Sequence, residues 1–316
     1  MKILVTGAAG YIAGHLIREL SFRGHSVRTQ DIAPGPDVDN VFDLADYRER
    51  SRWLEFHSPD MVIHLAALYG RVWGEKNLSR TVQANTGMTA ELARDTARAG
   101  ARLMFISSSE VYGKTADQRG DVLTTMPLLP LNMYGLSKKW GEEACQLYAP
   151  DGLMITRLNM PYGPAAVLPD PGTVPRFSGR AGVLGYNALH TMLWAASHSM
   201  PITVHKGTAR CFTYVGDTCR GLAMIAESGY EGVWNVNRND DHVIMSTLAE
   251  WCRALVPGCA SEITEEEPPG QVTLRKRLDS DRLWEMGWRP QVDLVDGMKM
   301  TLDYVSRYDR DGRWQG

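Results

Sequence analysis

Short apolar runs alternate with longer amphipathic stretches along the first half of the chain. The runs KILVTG (2–7), SVRTQD (26–31), MVIHLAA (61–67), RLMFISSS (102–109) and LMITRLN (153–159) read as strands. Between them, stretches from about Gly14 to Arg23, over DYRERSRWLEF (46–56), from about Val82 to Ala99 and from Tyr134 to Tyr148 read as helices. Strands alternating with helices at this interval predict βαβ units and an α/β fold, a doubly wound parallel sheet of the Rossmann type. Ligands on such sheets bind at the carboxyl ends of the strands.

Beyond residue 158 the rhythm breaks. Pro161, Pro164, Pro169, Pro171 and Pro175 crowd a stretch that also carries several glycines, which predicts a loop-rich segment over 161–185. Strand-like ITVH (202–205), CFTYV (211–215) and VWNVN (233–237) follow, with helices from near Asp217 and over Ser246 to Leu255. RLDSDRLWEMGWRP (277–290) then leads to a last helix. The expected division is a dinucleotide-binding domain over 1–157, with a segment returning near 211–238, and a smaller substrate-binding lobe over 158–210 and 239–316.

Composition narrows the partners. A net charge of −3 over 316 residues leaves no basic surplus for a nucleic-acid backbone, although a local arginine cluster can still bind phosphate. No leader-like segment and no apolar run of bilayer length occurs, so a cytoplasmic protein without membrane contact is expected. Five scattered cysteines without a Cys-x-x-Cys pair predict buried thiols rather than disulfides or a metal site.

The turn VTGAAGYIAGHL (5–16) carries the first chemical signal. Gly7 and Gly10 let backbone approach a pyrophosphate, whose charge the free N–H groups of a helix N-terminus favour. Asp31 closes the second strand, where a carboxylate accepts bonds from an adenosine ribose and repels a 2′-phosphate. NAD is therefore expected over NADP.

The second signal is Tyr134 and Lys138 in MYGLSKKWGEE, one helical turn apart on one face. An ammonium so placed is expected to lower the phenol's pKa, so that the phenolate takes a proton from a hydroxyl as hydride leaves for a cofactor. FISSSEVYG (105–113) precedes the pair and ends a strand in three serines.

With TGAAGYI, Asp31, Asp43-Leu44, HLAA (64–67), Asn85, SSSEVYG, Tyr134/Lys138, YGP (162–164), RCFTYVGD (210–217) and MGWRP (286–290), the chain resembles the extended short-chain dehydrogenase/reductase superfamily, and within it the NAD-dependent sugar-nucleotide epimerase/dehydratase family. The resemblance implies that Ser108 bonds the oxygen being oxidised, that Tyr134 is the base and that Lys138 tunes it. It implies a cofactor site of Gly7, Gly10, Tyr11, Ile12, Asp31, Asp43, Leu44, Leu65, Ala66 and Ala67, shared with Tyr134 and Lys138. Substrate contacts are expected from Ser109, Asn159, Arg210 and Arg275, with Arg277 as the alternative to Arg275. For Ser109, as for Ser107, a local bond capping the strand end is the competing reading. Glu110 stands where dehydratases of the family carry the base that takes the C5 proton of a 4-keto sugar. No metal is implied.

The departures qualify that picture. Ala13 replaces the third family glycine, with Gly14 beside it. Met160 stands where asparagine is usual, with Asn159 one place earlier, and Ala165 replaces the histidine acid of two-site epimerases. The loop LYGRVWGEKN (68–77) carries Arg71, read either as a clamp for a substrate carboxylate or phosphate or as a solvated loop residue. His190, His198 and His205 read as surface or packing residues, and Trp194, Trp234, Trp251, Trp284 and Trp288 as core.

The expected activity is NAD-dependent modification of a nucleotide sugar through a transient 4-keto intermediate, with dehydration first. A 4-epimerase, a uronate decarboxylase and a reductase or dehydrogenase of a non-nucleotide substrate are the alternatives. A dinucleotide-sensing protein without catalysis is disfavoured by intact Ser108, Tyr134 and Lys138. The resemblance further implies a homodimer through the helices at Val82–Ala99 and Tyr134–Tyr148.

Overall fold

A computed structural model describes residues 1–117, 120–166, 187–239, 242–311 and 313–315. Strand β1 (Lys2–Thr6) leads into helix α1 (Tyr11–Phe22), then β2 (Ser26–Asp31), β3 (Asn40–Val41), α2 (Tyr47–His57) and β4 (Met61–His64). α1 starts three residues before the predicted helix, because Gly10 is its N-cap. α2 starts where Asp46 accepts bonds from the backbone N–H groups of Arg48 and Glu49.

The stretch 68–77, expected as a loop, winds into a short helix, α3 (Arg71–Lys76). The helix predicted over 82–99 is α4 (Leu78–Val82), one π-type turn over Gln83–Gly87 and α5 (Met88–Arg98). That wider turn presents buried Asn85, whose side chain bonds both backbone groups of Leu68 and the Ser137 hydroxyl. β5 (Arg102–Ser108), α6 (Met133–Tyr148) and β6 (Leu153–Leu158) complete the half.

The short β7 (Pro161–Tyr162) follows; residues 167–185 of the stretch expected to be loop-rich lie outside the described residues. The later strands are β8 (Ile202–His205), β9 (Ala209–Arg210), β10 (Thr213–Tyr214), β11 (Gly232–Val236), β12 (Val243–Ile244), β13 (Ile263–Glu266) and β14 (Arg275–Lys276). Helices lie at Ala188–Ser197, Val215–Ser228, Met245–Ala254, Asp281–Glu285 and Leu294–Val305.

The main sheet has seven parallel strands in the order β11-β6-β5-β4-β1-β2-β3, the doubly wound α/β fold expected. The order in which the chain adds strands reverses beside β1, which opens a crevice at the carboxyl ends of β1 and β4. Alternate residues of β1 feed opposite faces. Ile3 and Val5 pack with Leu16 and Leu20 of α1 and with the helix Val215–Ser228, while Leu4 packs with Trp53, Leu92 and Cys145 on the other side. Burial of both faces explains why these strands read as apolar runs rather than strict alternations.

A third cluster, around Leu193, Phe212, Leu248 and Trp314, lies among the later segments. There β9 is flanked by β12 and β14, and β8 pairs with β13. Trp194, Trp234 and Trp288 are core, but Trp251 is exposed, contrary to expectation, on the outer face of its helix. Four cysteines are buried and Cys259 is half-buried, all as free thiols. Among the described residues, no helix is long and apolar enough to cross a membrane.

Candidate active site

The turn after β1 holds Gly7 at φ +74°, in the left-handed region. A Cβ there would lie 2.6 Å from the Ala66 nitrogen, so only glycine lets this turn lie against the backbone at the end of β4. Leu65, Ala66 and Ala67 are the half-buried residues there, and Thr6 Oγ1 accepts the Ala66 N–H at 3.3 Å. Gly10 closes the turn through its N–H to the Gly7 carbonyl at 2.9 Å and gives the helix no side-chain cap. The first N–H groups of α1, on Tyr11 and Ile12, thus begin a helix end suited to a phosphate.

Asp31, buried at the end of β2, accepts the Ala9 and Ala33 N–H groups, each at 3.0 Å, and so ties the turn to β2. These are the features a dinucleotide needs, and the residues present fit NAD. Asp43 is exposed and accepts the Ala45 N–H, whereas the Leu44 side chain is buried in the core. The Tyr11 hydroxyl is turned away to donate to the Gly163 carbonyl at 2.9 Å.

The second constellation stands at the end of β5. Asn132 caps α6 by accepting the Gly135 N–H, and Glu75 of α3 accepts the Met133 N–H, so two side chains fix the helix start that carries Tyr134. The Tyr134 hydroxyl is hydrogen-bonded to Ser108. Lys138, one turn on, is buried with its ammonium 4.1 Å from the Phe105 ring centroid. Burial lowers the Lys138 pKa to about 8, against the attraction of Cys145 and Glu142.

The Tyr134 pKa is raised rather than lowered. Burial is the main cause, with Tyr69 and Glu110 adding to it and the Ser108 bond opposing. The lowering expected from the Tyr-x-x-x-Lys spacing is not seen: burial of the phenol sets the direction of its shift.

Glu110 borders a cavity of about 240 Å³ with Arg71, Met160, His205 and Arg210. Its carboxylate pairs with the Lys276 ammonium and accepts from Asn132 Nδ2 at 2.8 Å. Burial pushes its pKa up, but Lys276, Asn132 and Arg210 outweigh that and bring it to about 2. Lys276 was missed in the sequence, although RKR (275–277) held the signal: in a strand only the middle cation of three shares a face opposite its neighbours. Lys276 is buried, whereas Arg275 and Arg277 are exposed.

Three expectations are thereby corrected. Arg275 does not face the cavity; its N–H donates to Asp117. Ser109 and Asn159, expected at the substrate, are buried beneath it. The Ser109 hydroxyl donates to Asn159 Oδ1 at 3.3 Å, and Asn159 Nδ2 donates to Asn237 and the Lys276 carbonyl, so the pair anchors β14. Ser107 likewise donates to Glu142, itself paired with buried Arg157.

Arg210 does line the cavity, its guanidinium donating to the backbone carbonyls of Ala209, Leu274 and Thr273. Met160 lines it from φ +37°, a conformation strained for a non-glycine residue. His190, buried, bonds the Gly163 carbonyl at 2.7 Å. Among the described residues no three His, Cys, Asp or Glu side chains are grouped to hold a metal.

The NAD dependent epimerase/dehydratase family is matched over residues 3–237. UDP-glucuronic acid decarboxylase 1 of Danio rerio is 26% identical over 334 residues, spanning 97% of this chain and 73% of that protein. UDP-glucuronic acid 4-epimerase of Bacillus cereus, solved with UDP-glucuronic acid and NAD, superposes with a TM-score of 0.80 at 25% identity, covering 96% of this chain and 99% of that one. UDP-glucose 4-epimerase of Thermus thermophilus with NAD gives a TM-score of 0.82 at 23% identity over 96% and 99% of the two chains, a likeness of fold.

Proposed function

The chain belongs to the NAD dependent epimerase/dehydratase family, and from that premise we propose that it binds NAD and a nucleotide hexuronate, oxidises the sugar at C4 and removes its carboxyl group. Residues 1–157 with β11 carry the cofactor in this reading, and the later segments carry the substrate. When bound, NAD supplies the hydride acceptor and afterwards the hydride. Tyr134 takes the proton of the C4 hydroxyl, Ser108 orients that hydroxyl, and Lys138 holds the positive charge below the pair. Arg210 takes a phosphate of the nucleotide.

One observation carries the choice of reaction: Arg71 and Arg210 line the cavity with a single carboxylate, Glu110, which buried Lys276 behind it already pairs. An excess of cations over carboxylates at the cavity wall calls for an anion on the ligand. It also leaves Glu110 ionised, with a pKa of about 2, and so a weak base far below neutral pH, which counts against removal of a C5 proton as the first step after oxidation. A hexuronate needs no such base. Oxidation at C4 makes its C6 carboxylate that of a β-keto acid. The C5–C6 bond then breaks with its electron pair passing into the C4 carbonyl, carbon dioxide leaves, and a proton from the cavity restores C5. Lys276, whose ammonium pKa burial lowers, is the acid beside Glu110. The names of the relatives, two of which carry glucuronic acid, support the same substrate class.

Mass spectrometry and proton NMR of UDP-sugars incubated with enzyme and NAD in deuterated water test the reading. Loss of carbon dioxide with deuterium at C5 is expected from UDP-glucuronate. Unchanged mass with inverted C4 would make the enzyme a 4-epimerase, and loss of water a dehydratase. Turnover only of non-nucleotide carbonyls, with net NADH consumption, would overturn the nucleotide-sugar reading. A homodimer through α5 and α6 and a cytoplasmic location belong to the same reading; light scattering and cell fractionation check them.

A further inference from the structure

Arg71 opens α3 and reaches the cavity half-buried, yet among the described residues it has no hydrogen-bond or ion-pair partner. Its cationic neighbours are committed. Lys276 is paired with Glu110, and Arg210 commits three of its five N–H donors, both of those on Nη1 among them, to backbone carbonyls. His205 is held toward its neutral form by burial and by the Arg71 charge. Among the described residues, Arg71 is therefore the guanidinium of this cavity with none of its donors committed, and a planar fork matches a carboxylate bidentately.

The same helix is locked to the reacting end of the site. A Cβ on Gly74 would lie 3.0 Å from the Tyr134 nitrogen, Glu75 accepts the Met133 N–H at 2.8 Å, and the Tyr69 ring meets that of Tyr134 edge-on at 5.6 Å. These contacts hold α3, which Arg71 opens, against the start of the helix that carries Tyr134. An anion on Arg71 thus belongs to the sugar being oxidised rather than to the nucleotide end.

We propose that Arg71 is the specificity-determining residue of this enzyme, binding the sugar carboxylate of a nucleotide hexuronate and rejecting the neutral hexose. The assignment rests on the hexuronate reading above. It is tested with UDP-glucuronate and UDP-glucose as paired probes, by equilibrium binding to the NAD-loaded enzyme and by kcat/KM, in wild type, Arg71→Gln and Arg71→Lys.

Arg71→Gln is expected to weaken UDP-glucuronate binding about 10- to 100-fold, the scale of a charge-assisted bond, and to leave UDP-glucose within about twofold. Arg71→Lys should recover part of the loss, because a point charge replaces the fork. Equal losses for both probes would assign Arg71 to the nucleotide phosphates and overturn the proposal, as would unchanged selectivity. Wild-type enzyme that binds UDP-glucuronate no better than UDP-glucose removes the hexuronate reading and the role of Arg71 together. Wild-type preference that survives Arg71→Gln removes only Arg71. Unchanged melting temperature and NAD affinity in the variants separate these outcomes from misfolding.

Discussion

The dinucleotide half of the cleft is made of backbone, whereas the cavity facing it is made of charged side chains. Gly7, Gly10 and Ala66 present main-chain groups within one βαβ unit and its neighbouring strand, tied by Asp31. At the cavity, Arg71, Glu110 and Arg210 from three separated segments meet, with Lys276 from a fourth paired to Glu110, and the Glu110 charge is set by Lys276 and Arg210. Backbone recognition tolerates change in side chains but not in chain path. A charge cluster has the opposite weakness, since removing one member leaves the others buried and unbalanced.

That contrast breaks first at Tyr134, where the halves meet. Tyr134→Phe removes the proton acceptor and nothing else, so turnover should fall by about two to four orders of magnitude while NAD binding persists, read as kcat beside cofactor affinity. Gly7→Ala tests the backbone half alone. A Cβ at φ +74° and 2.6 Å from Ala66 should weaken NAD binding by about 5- to 150-fold, the scale of 1–3 kcal/mol of strain, with little change in affinity for the free UDP moiety.

Lys276→Met tests the charge half and should cost about 3 kcal/mol of stability, because Glu110 is left without its main counter-charge. The pH dependence gives the sign. The folded-state pKa of Glu110, about 2, lies below its ordinary value of 4.5. The stabilisation from the pair is therefore fully present above about pH 4.5 and lost as pH falls toward 2. Acid-unfolding curves of Lys276→Met should lack that window. Wild-type and variant curves of equal shape would show that Glu110 owes its low pKa to other groups.

Lys138 sharpens the boundary further. With its pKa lowered to about 8, its ammonium is present below that pH and lost above it, so kcat should decline as pH rises through about 8. Lys138→Arg should move that limb beyond the measurable range if the variant still turns over. The smallest effect is expected at Met160, whose φ of +37° asparagine tolerates better. Met160→Asn should raise stability by up to about 1 kcal/mol, seen as a small increase in melting temperature.

How far each region was legible follows from its construction. The glycine turn, Asp31 and the Tyr134/Lys138 spacing are contacts between residues near in sequence or one strand apart, and their side-chain types encode them directly. Arg275 was misplaced because strand alternation, not residue type, decides which side of a strand a group takes, and Ser109 and Asn159 because the partners that bury them come from other segments. Ser109 and Asn159 are buried one residue past the ends of β5 and β6, and β14 exposes Arg275 while burying Lys276. The loop that is α3 and the π-type turn at Asn85 were likewise invisible, since each depends on a partner, Met133 or Leu68, supplied by another segment.

The sequence by itself determined the doubly wound sheet, the cofactor turn and the residues of the oxidation site, because hydrophobic period, glycine and short helical spacing act locally. Only the tertiary structure decided which cations meet Glu110, that its carboxyl is held near a pKa of 2, and that Arg71 lines the same cavity with no hydrogen-bond or ion-pair partner among the described residues. The physical reason is that charges interact through space and through burial, and both are created when segments such as Glu110 and Lys276, 166 residues apart, are brought into one low-dielectric cavity.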